Sequence, residues 1–455
     1  MFTTLEKDEH ARRRRLIADR YANTNVLRPQ SLGGIAQNAT NFVRRCFESV
    51  GGSLDIYPGL HAYAFDCITH HLFDPYDTKS LQDVKDEEVM REVTFDDSLQ
   101  NRLLKHYHPT IHRLLGNALR TLFNAKPRET PLADAFVLDK TTSPSLSPSP
   151  SPFTLLHRLR QSLDKSEKAD YDDSGSAQGT FIPDSLDIAA ECLDHMAAGI
   201  DTTGDALCFL MWELSQPRSR HVQRKLQQEL LAAKSNGVTD NKLAQLPYLE
   251  AVIMEGLRCW PAIPMSLPRV VPWDEKGGKE IDGWWVPSGT VVSCQAYSVH
   301  RLGIDSKGEW FPEEAEGFRP ERWLGGEAEE WKKRFFAFAT GGRGCIGKHL
   351  ALAEMRLLLK EVYSRFSTFP DDSMTQEDMD MSDQLISSRP RGQRCLLRFV
   401  PLEDLAGKHH GSPTPGRQQM AAEEPESTVW RVNSTCKGIA NSYVETLDNE
   451  SLGAA

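Results

Sequence analysis

The chain has 455 residues and a formal net charge of -11, enough length for one large domain or two to three ordinary ones with a sizeable buried core. The acidic balance argues against general nucleic-acid binding, which needs a cationic field. Nine scattered cysteines, an odd number with no C-x-x-C pair, argue against a disulfide framework or a zinc site and favour a reducing compartment.

The N-terminal stretch MFTTLEKDEHARRRRL lacks the apolar core of a signal peptide. No apolar run reaches the roughly 18 residues that span a membrane, so the chain as written reads as soluble. Residues 6–21 predict a charged helix with Leu16 and Ile17 on its apolar side. Residues 33–75 predict two more helices, and 81–125 continue in helical style. The run TTSPSLSPSPSP at 141–152 cannot pack a core and reads as an exposed loop; 165–180 reads as a second polar loop. From Asp184 to Leu257 helix follows helix. Trp284–Val286 and Thr290–Val292 then read as two strands, joined as a hairpin by a turn at Pro287-Ser288-Gly289. A Gly-rich loop and a long final helix close the ordered part. The polar, aperiodic stretch from about Ala406 predicts a disordered tail, with residues 1–403 as one domain and 404–455 outside it. Asn433-Ser434-Thr435 has the spacing of a glycosylation acceptor, read here as chance.

The chemistry concentrates at Phe338-Ala339-Thr340-Gly341-Gly342-Arg343-Gly344-Cys345-Ile346-Gly347. The helical stretch that follows places Cys345 at or just before a helix N-terminus, where N–H groups and the helix dipole favour a thiolate and lower the thiol pKa. Flanking glycines allow the backbone close to a flat ligand. Arg343 can reach an acidic group on that ligand's edge, and Phe338 can cover one face. An anionic sulfur, a close backbone, an aromatic cover and a cation suit an axial thiolate on haem iron.

The pattern F-x-x-G-x-R-x-C-x-G, ending at Gly347, resembles the haem-binding loop of the cytochrome P-450 monooxygenases. Three further segments resemble the family in the family's order. Glu255 and Arg258 form an E-x-x-R pair on one helix face, and the resemblance implies burial with a third member, Arg322, from Phe318-Arg319-Pro320-Glu321-Arg322-Trp323. Ala198-Gly199-Ile200-Asp201-Thr202-Thr203-Gly204 packs poor helix formers into a helix middle. It looks like the family's oxygen-activation segment, with Thr202 toward the bound oxygen and Asp201 relaying protons. Leu267-Pro268-Arg269 resembles the strand whose arginine binds a haem propionate. His10 and Arg14 match the family's W/H-x-x-x-R helix, whose members also contact propionates. Arg12, Arg13 and Arg15 would then be surface charges, either facing an acidic reductase or simply solvated.

The resemblance covers about residues 6–403 and implies a mainly α fold: a large helical haem-thiolate monooxygenase with small β-sheets. The family's membrane anchor, first strands and helices, and the loop roofing the substrate pocket have no counterpart before His10. The implied reaction activates dioxygen and inserts one oxygen atom into a small apolar substrate, with Asp201 and Thr202 as catalytic residues. Electrons would come from a separate NADPH-dependent flavin reductase, since the chain carries no flavin or nicotinamide fingerprint. The phrasing looks most like fungal members, which often act in secondary metabolism and usually sit on the endoplasmic reticulum. Two other readings stay open: a haem-thiolate isomerase or dehydratase, and a truncated haem-binding relic without activity.

Overall fold

The computed structural model describes residues 4, 6–94, 108–123, 131–143, 147–169, 184–273, 276–302, 315–382 and 387–407. Its helices are α1 (Lys7–Ile17), α2 (Asn23–Val26), α3 (Pro29–Glu48), α4 (Ile56–Phe73), α5 (Val84–Thr94), α6 (Pro109–Phe123), α7 (Pro131–Thr142), α8 (Leu155–Ala169) and α9 (Ser185–Ser215). They continue with α10 (Arg220–Ser235), α11 (Pro247–Cys259), α12 (Ala296–Val299), α13 (Ala328–Arg334), α14 (Lys348–Tyr363) and α15 (Leu402–Gly407). The strands are β1 (Leu54–Asp55), β2 (Ser266–Val270), β3 (Gly278–Ile281), β4 (Trp284–Pro287), β5 (Val291–Gln295), β6 (Phe366–Pro370), β7 (Met381–Ser382), β8 (Arg389–Pro390) and β9 (Leu396–Pro401). Among the described residues the fold is thus mainly α with small antiparallel sheets, as the sequence predicts.

Two central helices organise the core. α4 is apolar on every side, and every residue of it except Pro58 is buried. Its N-cap Asp55 accepts the Tyr57 N–H at 3.1 Å and the Cys395 N–H at 2.9 Å, which ties the helix start to the chain entering β9. α9 starts with a reciprocal cap: Asp184 accepts the Asp187 N–H at 2.7 Å and Asp187 accepts the Asp184 N–H at 3.3 Å. The two helices pack along their length because small residues let them approach. A Cβ on Gly199 would stand 2.7 Å from Ile68, and one on Gly204 would stand 3.0 Å from the His61 ring. α3 and α14 pack on the same core.

The sheets are small. β9 lies between β1 and β6, while β2–β5, β3–β4 and β7–β8 are two-stranded. Here the predicted hairpin fails. β4 pairs with β3, Trp284 opposite Ile281, and β5 pairs with β2, Val292 opposite Arg269. Pro287-Ser288-Gly289 connects two different sheets. The Ser288 N–H goes to Gly277 O and the Gly289 N–H to Val271 O, both at 2.9 Å, with Gly289 at a φ of +82°. The strands at Trp284 and Val291 were read, but the turn that closes a hairpin is Asp282-Gly283, both at positive φ, which folds β4 back on β3.

Several boundaries shift: α1 ends at Ile17, short of the expected 21, and α7 takes in Thr141 and Thr142 of the loop expected at 141–152. α8 runs to Ala169, so helix replaces the first part of the polar loop expected at 165–180; residues 170–183 lie outside the described residues. α15 extends to Gly407, past the expected start of the tail at 404. The rest of that tail, Asn433–Thr435 included, and part of the 141–152 loop also lie outside the described residues. Among the described residues no helix is long and apolar enough to cross a membrane.

Candidate active site

The loop before α14 is built on backbone conformation. Gly341 takes a φ of +68°, where glycine is unstrained. The Gly344 N–H then bonds Gly341 O at 3.0 Å and the Cys345 N–H bonds Phe338 O at 2.8 Å. Cys345 is turned outward from this loop, just ahead of the α14 N-cap Gly347. Its side chain is exposed, whereas Cys46, Cys67, Cys192, Cys208, Cys259 and Cys395 are buried. Desolvation is nevertheless the largest influence on the thiol.

Burial pushes the Cys345 pKa up, against donation from the Gly347 and Lys348 backbone and the charges of Arg14 and Lys348. The sequence led us to expect a lowered value; the helix terminus does pull that way, but desolvation of the free thiol is larger. A coordinating thiol is deprotonated by its metal in any case. A Cβ on Gly347 would come 3.9 Å from the sulfur. Half-buried Phe338 lies beneath the Lys348 ammonium, 5.8 Å from the ring centre.

A cationic group gathers beside this thiol. Arg14 donates to Gly344 O at 2.7 Å, fastening α1 to the thiol loop. Buried His10 sits one turn earlier on α1. Burial lowers its pKa, and the charges of Arg343, Arg14 and Arg269 lower it further, so three segments far apart in sequence converge. Arg343 donates to Thr4 O at 2.7 Å, and Arg269, exposed on β2, donates to Pro268 O at 2.8 Å. Three guanidiniums near one imidazole favour an anion between them. With the accessible thiol and the backbone donors at it, this set fits a haem: a sulfur for the iron and cations for its carboxylates. Arg13, expected among the surface charges, is half-buried and pairs with Glu9 at 3.1 Å and Glu191 at 3.9 Å. Arg12 and Arg15 are exposed.

The segment 198–204 does not interrupt α9. The Thr202 hydroxyl donates to Ala198 O at 2.8 Å, and Asp201 Oδ2 accepts from Arg389 at 2.7 Å. Gly199 and Gly204 are accounted for by the close approach of α4, so part of the weak helix propensity serves packing. Thr203 bonds Glu354, a buried carboxyl on α14 nine residues beyond Cys345, whose pKa burial pushes up to about 8. α9 and the helix of the thiol loop are therefore joined directly.

Glu255, Arg258 and Arg322 meet in the interior, all nearly inaccessible. Arg258 grips both Glu255 oxygens at 2.8 and 3.0 Å, and Arg322 bonds Oε1 at 2.9 Å. The Arg319 N–H at 2.7 Å and the Trp323 indole at 2.9 Å complete the carboxylate's shell. Burial alone would raise the Glu255 pKa, but the two guanidiniums and the N–H donors outweigh it, leaving it lowered. Arg258 also donates to His300 O, Ala315 O and Gly317 O. Sequence reasoning missed Trp323, His300, Arg389, His61 and Asp205. Trp323 was visible beside Arg322; the others carry no local signal, and Arg389 lies 188 residues from its partner Asp201.

The family model described as Cytochrome P450 matches residues 3–396. The chain is similar to the cytochrome P450 monooxygenase hkm5 of Aspergillus hancockii, 36% identical over 184 residues, which is 39% of this chain and 34% of that one. It is similar to the cytochrome P450 monooxygenase atr2 of Stereocaulon alpinum, 35% identical over 191 residues, 41% of this chain and 35% of that one. It is also similar to the cytochrome P450 monooxygenase stcB of Emericella nidulans, 34% identical over 218 residues, 47% and 40% of the two chains. These alignments span well under half of each relative's length.

Proposed function

Because the chain belongs to the cytochrome P450 family, whose cofactor is a thiolate-ligated haem, we propose that it is a monooxygenase that inserts one atom of dioxygen into a small apolar substrate. The reaction balances as substrate, O2, two electrons and two protons giving hydroxylated product and water. The accessible Cys345 thiol, with Arg14, Gly347 and Lys348 pulling toward the anion, carries this reading. Bound there, the haem supplies the oxygen chemistry, and thiolate ligation favours O–O cleavage.

The chain's own residues hold and protonate. Cys345 is the iron ligand. The Gly347 and Lys348 N–H groups stabilise its charge, Gly347 and Phe338 shape the thiolate side, and His10, Arg14, Arg343 and Arg269 take the haem carboxylates. Asp201 and Thr202 deliver protons on α9. Glu255, Arg258 and Arg322 act at a distance, fixing α11 to the segment that leads into the thiol loop. A separate NADPH-dependent flavin reductase supplies the electrons. The fungal relatives support a role in fungal secondary metabolism.

The test is spectroscopic. The reduced, haem-loaded chain under carbon monoxide shows the Soret shift of thiolate ligation, and Cys345→Ala loses it while retaining its far-UV dichroism. Identical spectra for the two proteins would remove Cys345 as the ligand. With a fungal flavin reductase, oxygen uptake that needs NADPH separates a monooxygenase from an isomerase or dehydratase, which consumes neither.

A further inference from the structure

One helical turn beyond Asp201, a second set of buried charges remains to be explained. Gly204 lets α9 lie flat on α4, where a Cβ would meet His61 ring atoms at 3.0 to 3.1 Å. His61 is fully buried. Its Nδ1 lies 2.8 Å from Tyr57 O; a carbonyl only accepts, so Nδ1 carries a hydrogen. Nε2 is then the atom turned to α9, 3.4 Å from Asp205 Oδ1 and 4.0 Å from Asp201 Oδ1. Bare, it would set a lone pair against two carboxylates, one of them fully buried. A proton therefore belongs to the His61–Asp205 pair.

Asp201 has its oxygens divided. Arg389 on β8, 1% exposed, holds Oδ2 at 2.7 Å, and Oδ1 faces His61. The titratable and charged groups around this point are Tyr57 and His61 from α4, Asp201, Asp205 and Cys208 from α9, and Arg389 from β8, with burial keeping the Cys208 thiol neutral. One guanidinium, two carboxylates and one shared proton sum to zero charge. Losing the proton would leave a net negative charge in the interior. Burial alone would lower the His61 pKa, but Asp205 and Asp201 outweigh it, and burial raises Asp205, so the pair retains its proton.

We propose that His61 and Asp205 store a proton for Asp201, with His61 as the positioning residue through which Asp201 is reprotonated. The proposal rests on the reading of Asp201 and Thr202 as the proton-delivering segment. As Asp201 gives up a proton beside Thr202, the proton on Nε2 crosses to Asp201 Oδ1, and the pair is refilled from water, to which the Asp201 side chain is 20% exposed. The store matters because Arg389 occupies Asp201 Oδ2, which leaves Oδ1, the oxygen facing His61, to take up the returning proton.

Two measurements test this. In the histidine-15N-labelled protein, His61→Gln assigns the resonance. We expect wild-type His61 to keep its Nε2 proton or its strong hydrogen bond above the pH at which ordinary histidines titrate, and to lose it in Asp205→Asn. A bare Nε2 that does not respond to Asp205→Asn overturns the proposal without any turnover. The second measurement supplies dioxygen, NADPH and a flavin reductase to the haem-loaded enzyme without organic substrate, and scores hydrogen peroxide per O2 consumed. Reduction to peroxide takes two protons and reduction to water takes four, so slow proton delivery raises the peroxide share. Variants that retain the thiolate carbon monoxide signature are compared. His61→Gln should slow the proton-dependent step by on the order of tenfold or more, raise the peroxide share and shift its pH profile. If Asp201→Asn raises the peroxide share and His61→Gln does not, the store is refuted and the Asp201 reading stands. If Asp201→Asn leaves it unchanged, that reading fails first.

Discussion

At the scale of single residues, buried carboxyls set the pH behaviour. Glu255 lies below the usual carboxylate range because two guanidiniums outweigh its burial. Its contribution to stability is present above the unfolded pKa and is lost as pH falls through the lowered folded value. Removing Glu255 strands two buried guanidiniums, Arg258 and Arg322. Glu255→Ala should destabilise by roughly 3–5 kcal/mol in urea unfolding, and a change within about 1 kcal/mol, the scale of a surface pair, would mean the cluster is dispensable. Glu354 works with the opposite sign. Its folded pKa near 8 exceeds the ordinary 4.5, so stability is full below 4.5 and declines as pH rises toward 8, by about 1.4 kcal/mol per unit. Glu354→Gln keeps a partner for Thr203 and removes the titration. Its urea midpoint should therefore fall less steeply than the parent's between about pH 5 and 8; parallel curves would clear Glu354.

Among elements, the α4–α9 contact is where small residues decide packing. Gly204→Ala and Gly199→Ala would push a Cβ into His61 and Ile68, at about 1–3 kcal/mol each by chemical denaturation. Gly116 on α6 has nothing within 4 Å of the same added atom, so Gly116→Ala should be neutral or stabilise by up to about 1 kcal/mol. Equal effects at all three positions would show that helix propensity, and not close approach, governs α9. The predicted helices were legible because apolar periodicity is local. α4 was read from one face, yet it is buried on every face. The β3–β4 pairing could have been read from Asp282-Gly283, both at positive φ, the two-residue turn of a hairpin between Ile281 and Trp284; the β2–β5 pairing could not, because that hairpin lies between its strands.

For the whole molecule, the candidate site is a junction. α1 supplies His10 and Arg14, β2 supplies Arg269, and the loop before α14 supplies Arg343 and Cys345. A ligand that binds all of these stabilises the folded chain by mass action. Haem loading should therefore raise the melting temperature of the parent, and Arg14→Ala should reduce that gain even where Cys345 is intact. A gain untouched by Arg14→Ala would separate α1 from the haem.

The sequence by itself determined the helical class and where the thiol loop, the E-x-x-R pair and the Asp201-Thr202 segment lie, because each is a short-range pattern in which spacing fixes which side chains share a face. Only the tertiary structure decided which arginine meets Asp201, which histidine lies against Gly204, and that desolvation outweighs the helix terminus at Cys345. Those depend on distances between segments more than a hundred residues apart and on how much protein surrounds a charge. Neither quantity is written in any local stretch of the chain.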